Sequence, residues 1–126
     1  MAKCTNLRVW QQARELLKLV SSVTAGMRAE GDLKSQLRRA AISTVSNIAE
    51  GAERSDREFC RFLTIALGSN AEVEAQLTIA GDIGLIDAPT VAAMLDRTDH
   101  IGRMIRRLIQ HRQGIGPRPP RLTGSH

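Results

Sequence analysis

Four stretches of this chain repeat apolar residues at alternating three- and four-residue intervals, a pattern that only packed helices can bury. The first stripe is Leu7, Trp10, Ala13, Leu17, Val20 and Thr24, which predicts a helix over 7–25 with Asn6 as its N-cap and Gly26 as its stop. The second is Leu33, Leu37, Ala41, Thr44, Val45 and Ile48, a helix over 32–50 that Asp32 can cap and Gly51 closes. Ser55-Asp56-Arg57-Glu58 is a capping box, with Ser at the N-cap and Glu three positions on. It opens a third helix over 56–83, with a core stripe of Phe59, Phe62, Leu63, Ala66, Val73, Leu77 and Ala80 and a Schellman-type end at Gly84-Leu85. Asp87 and Pro89 open a fourth over 88–112, its inward face made of Val91, Met94, Leu95, Thr98, Ile101, Ile105, Leu108 and Ile109.

Short connections make consecutive helices antiparallel neighbours, so the expected fold is all-α, an antiparallel up-down four-helix bundle spanning residues 1–112. At 126 residues and 42% apolar, the chain can fill such a core without disulfide or metal staples. With 2% aromatic residues, that core must be mostly aliphatic. Residues 113–126 are rich in Gly and Pro, which exclude helix and offer nothing to bury, so this tail is expected to be disordered.

Two features exceed what a bare bundle needs. On the third helix a second stripe, Ile65, Gly68, Glu72, Ala75, Ile79 and Ile83, lies opposite the first. On the second helix the outer side reads Arg39, Ser43, Ser46 and Glu50, small hydroxyls between opposite charges. A helix with two apolar sides asks for a second neighbour, and the simplest neighbour is another copy of the chain. The predicted self-interface therefore comprises Arg39, Ser43, Ser46, Asn47, Glu50, Arg61, Ile65, Gly68, Glu72, Ile79 and Ile83. Asn47 is placed to bridge helices, while Asn70 interrupts the core stripe and needs a buried partner.

Charge supplies the other feature. Residues 1–99 hold twelve basic against thirteen acidic side chains, whereas residues 100–126 hold six arginines and no acid. These are Arg103, Arg106, Arg107, Arg112, Arg118 and Arg121, the candidate nucleic-acid-binding set. Asp99 precedes Arg103 by four residues, a favourable order for an ion pair, so Arg103 is partly occupied. Arginine suits phosphate because its planar fork can donate two parallel hydrogen bonds. With no Tyr and few aromatics, base stacking is not the expected mode.

No recognisable catalytic or cofactor-binding motif occurs; Glu50 and Glu72, the acids on half-buried faces, are expected to make interface contacts rather than acid–base chemistry. No Glu-x-x-His pair occurs for a di-iron site, and neither Gly-rich phosphate motif is present. His100 and His111 lie about 16 Å apart by helix rise, too far to share a metal. Cys60, beside Phe59 and Phe62, reads as a buried structural thiol. No metal, no cofactor and no enzyme activity are expected. The opening residues lack an apolar signal core, and no run approaches the ~18 apolar residues that span a bilayer. The expected compartment is the cytoplasm, with Cys4 and Cys60 reduced.

Ser35-Gln36-Leu37-Arg38-Arg39-Ala40-Ala41 and Ser46-Asn47-Ile48-Ala49-Glu50-Gly51 closely resemble the bacterial four-helix bundle family encoded in intervening sequences of 23S rRNA genes. Val9-Trp10-Gln11, Phe59, Phe62-Leu63, Ala66-Leu67-Gly68-Ser69, Glu72, Glu74, Gln76-Leu77 and Gly84-Leu85-Ile86 extend the likeness over residues 7 to about 110. The chain departs from that pattern at Val45, where Pro is frequent, and at Asn70, where a small or apolar residue is usual. The resemblance implies a bundle assembled as a ring-shaped homopentamer without established enzyme activity. A distant relative, the accessory protein of diversity-generating retroelements, binds nucleic acid and a reverse transcriptase.

Two functions follow as expectations. The first is a homo-oligomer that binds nucleic acid, structured RNA above all, through its Arg-rich C-terminal surface. The alternative is a scaffold that docks a partner enzyme without touching nucleic acid.

Overall fold

A computed structural model of the chain describes residues 7–27 and 30–114. Within them run four helices: α1 (Arg8–Ala25), α2 (Gly31–Ala52), α3 (Asp56–Asp82) and α4 (Ala88–Arg112). Each packs on its chain neighbours and α1 closes against α4, while the diagonal pairs make no backbone contact. This is the antiparallel four-helix bundle that the stripes predict. The predicted cap Asn6, the tail from Ile115, and with it Arg118 and Arg121, lie outside the described residues.

Helix α3 shows most directly how sequence becomes packing. Phe59, Leu63, Ala66, Asn70, Val73, Leu77 and Ala80, spaced alternately by four and three, are all buried. Against them lie Leu16 and Val20 of α1, Leu37 and Ile48 of α2, and Met94, Ile101 and Ile105 of α4, in one aliphatic core. Each fully buried side chain of this size contributes about 1.5–3 kcal/mol of transfer free energy. On α1 the stripe is turned slightly from the expected one: Val9 and Leu16 are buried, and Trp10 and Leu17 are only half-buried. Either choice keeps helical spacing, and only the position of the neighbouring helices decides between them.

The helix ends agree with the sequence at α3 and differ at α2. Ser55 Oγ accepts the Glu58 amide at 3.3 Å. At the other end Gly84, with φ of +79°, turns the chain. There the Leu85 amide bonds to Ala80 O at 2.9 Å and the Gly84 amide to Gly81 O at 3.2 Å, the paired bonds of a Schellman motif. Helix α2 begins one residue before Asp32 and ends two residues beyond Glu50. Its N-cap is Glu30, in the left-handed region at φ of 60°, and Asp32 instead sits in the first turn, where its charge suits the helix dipole. The Lys34 ammonium ties down the preceding turn by donating to Met27 O at 2.9 Å. Asp87 is the N-cap of α4 as expected, but its side chain makes no capping hydrogen bond.

Gly51 lies inside α2 because side chains of α3 cross it closely. A Cβ there would stand 2.7 Å from Phe62 Cβ and 2.8 Å from Phe59 Cδ1. The absent side chain lets α2 and α3 meet at this level. Cys60 is a buried free thiol whose Sγ lies 3.8 Å from Ile109 O.

Candidate interaction surfaces

Two polar side-chain contacts cross between the antiparallel helices α2 and α3. Ser43 Oγ and Ser69 Oγ are 2.7 Å apart. Gln76 Nε2 donates to Gln36 Oε1 at 2.9 Å. Asn47 supports the first by donating its amide to Ser43 O at 2.9 Å and Ser43 Oγ at 3.1 Å. Asn47 therefore acts along its own helix, and Ser43 makes the crossing that the sequence assigned to Asn47.

Above this seam is a shallow polar groove lined by Gln36, Arg39, Ser43, Glu72 and Gln76. Arg39 and Glu72 face the same groove of one chain, yet form no ion pair with each other or with any described residue. Glu72 belongs to the second stripe of α3, and that stripe is uncovered: Ile65, Ile79 and Ile83 are 45%, 46% and 53% exposed. Gly68 and Ser46 are exposed beside it, and nothing lies within 4 Å of where a Gly68 Cβ would be. The other two charges of the predicted interface are engaged at home. Glu50 pairs with Arg54, and Arg61 pairs with Glu58 at 3.1 Å. Hydrogen bonding to Glu50, and its charge, hold the Arg54 guanidinium above its ordinary range. Ile42, also 47% exposed on α2, escaped the sequence reading because it belongs to no stripe.

The basic end is less uniform than its sequence. Arg103 is bound to Asp99 at 3.1 Å, as the spacing predicts. Arg112 is not a free cation: its Nη1 meets Asp56 Oδ1 at 3.0 Å, and its guanidinium lies 5.1 Å from the Phe59 ring centre. Its Nε is buried without a partner. Arg112 thus fastens the end of α4 to the start of α3. Arg106 and Arg107 are exposed and make no ion pair, but they lean to opposite flanks of α4. Arg106 borders a small polar pocket with Asn70, Glu74, Thr98 and Asp99 on the α3 side. Arg107 borders an apolar groove on the α1 side, together with Arg8 and His111. The sequence reading missed Arg8, whose place beside Arg107 depends on α1 and α4 closing the bundle.

Asn70 has the buried partner it needed, in part. At 5% exposure its Nδ2 donates to Thr98 O at 2.9 Å, and its Oδ1 has no partner. Among the described residues no group of His, Cys, Asp or Glu could hold a metal ion. No helix there is long and apolar enough to cross a membrane.

This architecture is shared by a solved structure, a protein of unknown function from the S23 ribosomal protein family of Bacteroides thetaiotaomicron VPI-5482. It superposes with a TM-score of 0.77 at 20% identity, over 81% of this chain and 98% of that one. At that identity the likeness speaks for the fold. No curated protein matches the sequence. The family described as 23S rRNA-intervening sequence protein matches residues 5–107, nearly the whole bundle. With a four-helix bundle in place and the family matching over residues 5–107, this chain belongs to the 23S rRNA-intervening sequence protein family.

Proposed function

We propose that the protein acts by binding rather than by catalysis, as a homo-oligomer that holds nucleic acid, structured RNA above all, by its phosphates. The observation that supports assembly is the uncovered face of α2 and α3, and the unpaired Arg106 and Arg107 support phosphate binding. Ile65, Ile79 and Ile83 stand exposed in one row beside the unpaired Arg39 and Glu72. Apolar residues in a row at an interface gain what isolated surface residues cannot. Opposite charges on the same face favour a copy set in one register. The family resemblance points to five copies in a ring.

Assembly gives the basic end its reach. Each chain offers Arg106 and Arg107, with Arg118 and Arg121 further along the sequence, and several chains held together bind far more tightly than one. If three to four phosphates are neutralised per chain, log K falls with log salt at a slope of roughly −3 on duplex. The test is a salt series with a structured RNA and a duplex DNA, for wild type and Arg106→Ala/Arg107→Ala. The double variant should bind every sequence more weakly and flatten the slope by up to about two. Wild-type protein that binds neither nucleic acid at low salt would overturn the reading in favour of the scaffold.

A further inference from the structure

We propose that the apolar groove between the start of α1 and the end of α4 docks an acidic segment of a partner protein. One aliphatic or aromatic side chain enters the groove and flanking carboxylates meet Arg8 and Arg107. This goes beyond the nucleic-acid reading; it shares Arg107 with that reading but is tested separately, through Met104 and peptide binding.

The groove is shallow and open to solvent, with a volume of about 300 Å³. Its walls are Leu7, Val9, Met104 and Leu108, and its rim is Arg8, Arg107 and His111, with no acid among them. Val9 is buried while Leu7, Met104 and Leu108 are half-buried, so the apolar surface is open along one side. It exists because α1 and α4 pack together less extensively than any other neighbouring pair of the bundle.

Charge and polarity choose the occupant. Neither Arg8 nor Arg107 has an ion-pair partner among the described residues, so both are available to an incoming carboxylate. Leu7, the N-cap of α1, supplies no side-chain cap, and the partial positive charge of the helix start adds to theirs. The walls present no side-chain hydrogen-bonding group. A Leu, Ile or Phe side chain set against these walls gives up no hydrogen bond to water. The volume is at the small end for ligand pockets, which suits a single side chain better than a whole metabolite. Anchor and charge together describe a short apolar residue set among Asp or Glu.

The probe is a random twelve-residue peptide library panned on the full chain, with the enriched peptides then synthesised and titrated. Enriched sequences should place an aliphatic or aromatic residue among acids. Their binding should fall at least tenfold on Met104→Glu and on Arg107→Glu, stay within about twofold on Met104→Leu, and weaken with salt. Helical content and oligomeric mass should not change in any variant. The proposal is overturned if no peptide is enriched, if the enriched peptides lack acids, or if Met104→Glu binds them as wild type does. A change of mass in Met104→Glu would assign the groove to a second copy. A single-stranded RNA oligonucleotide that needs Met104 would assign it to a base. Each of these outcomes also rejects the acidic partner.

Discussion

Ser43 and Ser69 face each other across the α2–α3 seam with their hydroxyl oxygens 2.7 Å apart. Ser69 is buried, and the seam gives its hydroxyl no other hydrogen-bonding partner. Ser43→Ala should therefore strand it, at a cost of about 1–2 kcal/mol in urea unfolding at fixed protein concentration. Removing both hydroxyls should cost less than the sum of the two single changes, because Ser69 is then not left unsatisfied, and Asn47 keeps its bond to Ser43 O. Strictly additive losses would mean that the pair contributes no coupling.

Two glycines should respond to alanine in opposite ways. At Gly51 the new methyl meets Phe62 and Phe59 below 3 Å, so overpacking should outweigh the gain in helix propensity and destabilise by about 1–3 kcal/mol. At Gly68 the methyl meets nothing within the chain, and the propensity gain of up to about 1 kcal/mol should survive. Thermal melting of both variants, with mass recorded alongside, measures the contrast. A stabilised Gly51→Ala would show that α2 and α3 can separate at no cost.

The bundle itself was legible in the sequence because helical spacing and caps are local signals. Phe59 to Ala80 can be read as a buried stripe from their intervals alone, and Ser55 with Glu58 announces a helix start within four residues. What could not be read depends on register between helices. Arg112 looks like one of several free arginines until α3 and α4 pack antiparallel and bring Asp56 and Phe59 to it. The same holds for Ser43 with Ser69, and for Arg8 with Arg107. Glu30 was missed for a different reason: Asp32 is the better cap by residue type, yet a left-handed Glu30 before Gly31 lets the helix begin earlier. The uncovered Ile65–Ile83 row was legible because a second stripe at helical spacing is also a local signal.

Arg112 should behave as a structural residue. Its ion pair with Asp56 is partly exposed and contributes less than about 1 kcal/mol, with a similar amount from the Phe59 ring. Arg112→Ala should lower the melting temperature and speed amide exchange in the last turn of α4. It should change the salt slope for RNA by less than half as much as losing Arg106 and Arg107 together. An equal effect on the slope would return Arg112 to the phosphate-binding set.

Assembly through the α3 face is the claim on which the functional reading rests, and light scattering after size exclusion tests it most directly. Ile79 is 46% exposed in the single chain, so Ile79→Glu should fold normally there while placing a carboxylate in the middle of the apolar row. Wild-type protein at micromolar concentration should give a mass several times the chain's 13.8 kDa, and Ile79→Glu should fall to the single-chain value with unchanged helical content. A wild-type mass of 13.8 kDa, or an Ile79→Glu variant that keeps the wild-type mass, would contradict it.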